Sequence, residues 1–135
     1  MRNTSYFLFH ISYFIFLIFS CFMSTINQID VLAPFEIWEI PFGNRTIKFF
    51  EPLLLEPEYM PHDPDEPGDV EYLEVVCPKL NIDVYADNRK DLKEFLYSEI
   101  GFIWQHIVLA NDSLLDAESR AIKRRYLEIA EEIDG

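Results

Sequence analysis

The sequence predicts an α+β domain: a small antiparallel sheet of three to four strands in β-β-β-α order, packed by one helix and followed by a second amphipathic C-terminal helix. Three observations carry that expectation. Apolar and polar residues alternate with period two in Phe35–Ile40 and Leu80–Ala86, and Gly43-Asn44 supplies a turn between the first of these runs and Thr46–Phe50. Apolar residues then recur at helical spacing from Leu92 to Ile107 and from Ile122 to Ile133. Half of the 135 residues are apolar and 16% are aromatic, a composition that buries one core of ordinary domain size and is unlike that of a disordered chain.

The chain opens on a hydrophobic leader, residues 1–22. From Tyr6 to Met23 there is no formal charge, and Arg2 precedes the run, which is long enough for a marginal membrane helix or the apolar region of a signal peptide. Ile18-Phe19-Ser20-Cys21 also loosely follows a lipoprotein cleavage motif. The same run holds eight aromatics and no Ala, Val or Gly, which fits non-coding sequence translated ahead of a true start at Met23. Three readings therefore stand: a signal or anchor, a misassigned start, or a buried core helix. A start at Met23 implies a cytoplasmic protein; a retained leader implies a membrane-anchored or exported one.

Residues 23–110 form the expected α+β domain. Its first hairpin pairs strands near 35–41 and 45–51 across the turn residues Gly43-Asn44. Between Pro52 and Asp69 come five prolines, several acids and Gly68, and this acidic stretch is expected to be a long loop because proline lacks the N–H a ladder needs. Val70–Cys77 reads as a third strand, and Leu80–Ala86 as a fourth or an extended arm. Asn88 is positioned as a helix N-cap with Asp91 three residues on. The helix it opens carries the apolar stripe Leu92, Phe95, Leu96, Ile100, Ile103 and Ile107. Gly101 costs that helix about 1 kcal/mol against Ala and is expected to admit close approach to the sheet. Residues 111–135 form the C-terminal helix, beginning around Ser113 or Asp116, with Ile122, Tyr126, Ile129 and Ile133 on its apolar face.

Charge bounds the function. The 24 acids against 11 bases give −13, a sign that repels phosphate backbones and steers association toward a cationic protein. Nucleic acid is an unfavourable ligand, and a basic protein the natural partner; an exposed sheet edge would also allow a homo-oligomer. The only basic cluster, Arg120, Lys123, Arg124 and Arg125, lies on the second helix, flanked by Glu118, Glu128, Glu131 and Glu132. Helical spacing places three of these bases on one side, where they could contact nucleic acid; intrahelical pairing with the flanking acids accounts for the cluster better, and Arg120 and Arg124 are candidate partner contacts.

No constellation carries catalysis. His10, His62 and His106 are scattered, and no nucleophile stands beside a base and an orienting acid. His106 reads as structural. His62, Asp63, Asp65, Glu66 and Asp69 supply ligand types suited to a hard cation, but Pro64 and Pro67 break the spacing of a calcium loop, so a solvated acidic loop is the reading and no metal site is expected. Cys21 and Cys77 support neither a disulfide framework nor a metal cluster, and with four glycines and no phosphate-loop motif no cofactor is expected either. Asn44-Arg45-Thr46 and Asn111-Asp112-Ser113 match the glycosylation pattern at a frequency chance explains.

Val75-Val76-Cys77-Pro78-Lys79-Leu80, followed by Ile82-Asp83-Val84-Tyr85-Ala86-Asp87-Asn88-Arg89-Lys90-Asp91-Leu92, resembles the HicB-like antitoxin domain. In that domain a strand ends in a P-x-L element, a short extended segment crosses over, and a capped helix opens before its apolar stripe. The likeness spans Glu71 to Ile107, and the preceding hairpin completes the β-β-β-α order. The resemblance implies a non-catalytic protein whose acidic surface covers a small basic toxin nuclease. Trp38, Tyr72 and Tyr85 would be aromatic anchors of such an interface, and they are equally suited to the core.

Overall fold

The structure, a computed structural model, describes residues 31–68 and 70–134. The leader 1–22 with its three readings, Cys21, Asp69 and Gly135 lie outside the described residues. Val31–Ala33 belong to the segment before them, and the chain from Pro34 onward forms one compact unit.

That unit is α+β, with its strands divided between two three-stranded antiparallel sheets. Strand β1 (Phe35–Phe42) turns through Gly43-Asn44 into β2 (Arg45–Leu55). Phe42 pairs with Arg45 across a two-residue turn, and Gly43 takes φ +62, the left-handed conformation that such a turn asks of its first central residue. The hairpin does not keep one register. Ile37 pairs with Leu53 but Glu39 with Lys48, so Trp38 alone faces four residues of β2. This bulge shifts the inward phase from Phe35 and Ile37 to Ile40, which keeps Glu39 out of the core. It also explains why β2 runs through Pro52 to Leu55, four residues past its expected end. Pro52 lies inside the bulge, where no ladder bond needs its N–H.

The stretch expected as a loop from 52 to 69 is thus shorter. It gives up Pro52–Leu55 to β2 and Glu58–Met60 to β3, which pairs with β4 (Tyr72–Cys77). In the remainder, Asp63 and Pro64 open a turn closed by Glu66 N–H donating to the Asp63 carbonyl at 3.1 Å, and the Asp65 N–H donates to Asp63 Oδ1 at 2.9 Å. Asp followed by Pro is the preferred start of a type I turn, so at least one acid of this loop is there for local geometry. Leu80, expected in the fourth strand, closes a 3₁₀ turn from Pro78 instead. Asn81 leaves that turn at φ 60, and β5 (Ile82–Ala86) pairs antiparallel with β4.

Asn88 caps α1 (Arg89–Ile103) as expected: its Oδ1 accepts the Asp91 N–H at 2.9 Å and its Nδ2 donates to Asp91 Oδ2 at 3.1 Å. Leu92, Leu96, Ile100 and Ile103 are fully buried against β1, β4 and β5. Phe95, expected in the same stripe, is half exposed at its flank. Beyond Ile103 the helix widens into a π turn, Trp104–Val108, closed by Leu109 N–H to the Trp104 carbonyl at 2.9 Å. The wider turn buries Trp104 and Val108 and leaves Ile107 partly covered. Gly101 does not bring the helix backbone against the sheet; a Cβ there would meet Phe42 Cδ1 at 3.9 Å, an ordinary contact.

Asp116 caps α2 (Ala117–Ile129) by accepting the Ser119 N–H at 2.8 Å. The helix ends where the sequence pattern continues. Ala130–Asp134 is not helical but forms β6, paired with Arg45–Phe49 of β2, so Ile133 sits in a strand. Glu132 of β6 accepts from the buried Trp104 Nε1–H at 2.9 Å and pairs with Arg45 of β2. Tyr126, fully buried, donates its hydroxyl to the Leu80 carbonyl at 2.7 Å and meets the Trp104 ring edge-on. Those contacts tie α2 and β6 into the single core that both sheets share. Among the described residues no helix is long and apolar enough to cross a membrane.

Candidate functional site

Directly paired residues of an antiparallel ladder lie on one face of the sheet. In the β3–β4–β5 sheet, Leu73, Val75, Val84 and Ala86 turn into the core. The opposite face follows from the register: Glu58 pairs with Glu74, Glu74 with Tyr85, Val76 with Asp83, and Met60 with Tyr72. Glu58, Val76, Asp83 and Tyr85 on this face are exposed and Tyr72 and Glu74 partly so, with Tyr85 retaining 65% of its surface. The Tyr72 and Tyr85 rings pack at 5.4 Å between centroids.

Three acids crowd the same face. Glu74 stands opposite Glu58 and diagonal to Asp83, and among the described residues no Lys or Arg forms an ion pair with any of them. Desolvation raises the Glu74 carboxyl above its usual range, and repulsion by Asp83, a hydrogen bond with Asp83 and repulsion by Glu58 raise it further. The surface thus combines paired aromatics with negative charge that the fold leaves uncompensated. Nearby, the Tyr59 hydroxyl donates to Glu71 Oε2 at 2.6 Å, and that bond, above all, raises the phenol.

The structure brings Tyr72 and Tyr85 together but sets Trp38 apart. Trp38 stands on β1 in the other sheet, half exposed, with its indole N–H donating to Glu36 Oε1 at 3.3 Å. The core reading of the three aromatics fails for Trp38 and Tyr85, because the bulge turns one outward and the strand period the other. Arg120 and Arg124 belong to neither sheet. Arg120 donates to the carbonyls of Leu115 and Asp112, Lys123 to the Ala110 carbonyl and Asp112 Oδ1, both at 2.7 Å, and Arg125 to the Lys79 carbonyl. Arg120, Lys123 and Arg125 are therefore not paired within their helix; they close the ends of preceding turns, where carbonyls otherwise lack donors. The Lys123 hydrogen bond and charge hold the Asp112 carboxyl below its ordinary range, with a smaller effect from Arg124, which remains exposed.

His106 is exposed and packs on the Phe102 ring at 4.3 Å. His62 is exposed in the acidic loop, Cys77 is a free, half-buried thiol, and no group of three metal-ligating side chains gathers among the described residues. Sequence reasoning missed Glu58, Glu74 and Asp83 as a group. Each lies on the polar phase of its strand, but only the register shows that they converge. No family model, curated protein or solved structure matches the chain.

Proposed function

We propose that this chain is a non-catalytic protein-interaction module whose β3–β4–β5 sheet presents its outer face to a basic protein. The observation that carries this reading is the pairing of Tyr72 with Tyr85 beside Glu58, Glu74 and Asp83. Exposed aromatics supply the desolvated centre that interfaces need, and acids without a base of their own supply complementarity to a cationic surface. The HicB-like resemblance narrows the partner to a small basic toxin nuclease, the covering of which needs no catalytic group. Trp38 on the other sheet and the exposed Arg124 are secondary contact candidates.

The test is co-purification from native cells at two salt concentrations, with the unaltered chain and with Tyr85→Ala/Asp83→Asn. A small basic protein retained by the first, released by salt and lost with the second supports the reading. A chain that stays alone at native abundance refutes it. Placing the protein at a membrane instead, as the apolar run Tyr6–Met23 suggests, predicts the intact leader in the membrane fraction, read by peptide mapping.

A further inference from the structure

β5 is an edge strand: β4 pairs with one side of it, and the other side has no strand neighbour among the described residues. A groove of about 400 Å³ runs beside it, lined by Asp83, Val84 and Tyr85 from the strand and by Phe95, Ser98, Glu99 and Phe102 from α1. Successive residues of a strand point to opposite faces, so a groove touching three in a row follows the strand's open edge and not one of its faces. Across it, Phe95 and Phe102 lie two helical turns apart on one flank of α1, 49% and 61% exposed. Asp83 and Glu99 make its charged lining wholly acidic.

Resting on the interaction reading above, we infer that the β5 edge and this groove take up an extended, lysine- or arginine-rich segment of the partner as an added antiparallel or parallel strand. Backbone groups of Ile82–Ala86, a strand about 17 Å long, supply the ladder. Alternate apolar side chains of the incoming strand then pack against Phe95 and Phe102, while its bases face Asp83, Glu99 and the acids of the sheet face. A second copy of this chain is the wrong occupant. Pairing β5 with itself sets the Asp83 and Glu99 of each copy against those of the other, on chains carrying −13 each.

The test uses the full chain and a capped seven-residue peptide of alternating lysine and valine, with an alternately N-methylated version of the same charge and a glutamate-for-lysine version as controls. Binding is read by NMR titration and amide exchange. The expected result is binding of the lysine peptide alone, with exchange protection on the alternate amides of Ile82–Ala86 that face away from β4. Phe95→Ser/Phe102→Ser, at two exposed positions, should weaken it about tenfold. Equal binding of the N-methylated peptide, or shifts confined to Tyr72 and Tyr85, overturns strand addition while leaving the basic-partner reading intact. Sedimentation of the free chain as a dimer broken by the phenylalanine substitutions also overturns it. Failure of every cationic peptide to bind removes both.

Discussion

Replacing Glu74 by Gln should stabilise the domain and, on the interaction reading proposed above, weaken binding of a basic partner. Glu74 faces Glu58 directly and Asp83 diagonally. Like charges in cross-strand positions cost about 0.2–1 kcal/mol, and partial exposure of Glu74 points to the middle of that range, about 0.5 kcal/mol. Gln keeps the volume, and its amide can donate to Asp83, so packing is unchanged. For a domain of this size the gain corresponds to about 2–4 °C in Tm. The pH dependence supplies an internal control. Because the folded Glu74 carboxyl titrates above its unfolded value, the native state binds more protons than the unfolded state between those two values. Stability of the unaltered chain therefore rises through this group as pH falls across that interval, while the variant lacks the term. Urea denaturation at pH 7 and pH 4 should show the advantage of Glu74→Gln shrinking on acidification. A variant less stable at pH 7, or an advantage independent of pH, would refute the claim that these acids repel one another.

Other outcomes follow from the core and the helices. Tyr126→Phe deletes the hydroxyl that satisfies the Leu80 carbonyl and should cost about 1–3 kcal/mol in chemical denaturation. Burial, followed by the charges of Cys77 and Glu99, raises the Tyr126 phenol, so its contribution is complete below the unfolded tyrosine value near 10 and declines as pH climbs above it; Tyr126→Phe should lose that part of the alkaline sensitivity. Glu132→Ala strands the buried Trp104 N–H and removes a partner of Arg45, at a cost of about 1–3 kcal/mol by thermal melts and with increased exchange of the β6 amides. Gly101→Ala should raise stability by up to about 1 kcal/mol, since the added methyl meets only Phe42 at contact distance; a loss would show that the helix needs glycine there.

The sequence made some elements legible and hid others for reasons that can be assigned to particular residues. Asn88 with Asp91 declares a helix start because capping is local chemistry, complete within four residues. Gly43-Asn44 declares the hairpin for the same reason. For the second helix the sequence leaves Ser113 and Asp116 both open as starts, and the Ser119 N–H donating to Asp116 decides between them. What stayed hidden depends on partners distant in sequence. Ala130–Asp134 reads as helix because Ile129 and Ile133 keep helical spacing, and it becomes a strand because Arg45–Phe49 offers an open edge and Arg45 offers Glu132 a counter-charge. Phe95 reads as core because it belongs to the stripe of Leu92 and Leu96, yet it sits at the stripe's border, where burial depends on whether another element covers it; none does among the described residues. The same logic explains the candidate site. Glu58, Glu74 and Asp83 come from three separated segments, Glu58 from the stretch that reads as a loop and Glu74 and Asp83 unremarkable as the polar phase of their strands, and only pairing of Glu58 with Glu74 and of Glu74 with Tyr85 gathers them. Stability alone would favour separating such acids or supplying a base, as Arg45 does for Glu132. The fold neutralises Glu132, where the strand is held, and leaves the outer face of the second sheet charged, which is the feature the proposed basic partner would complement.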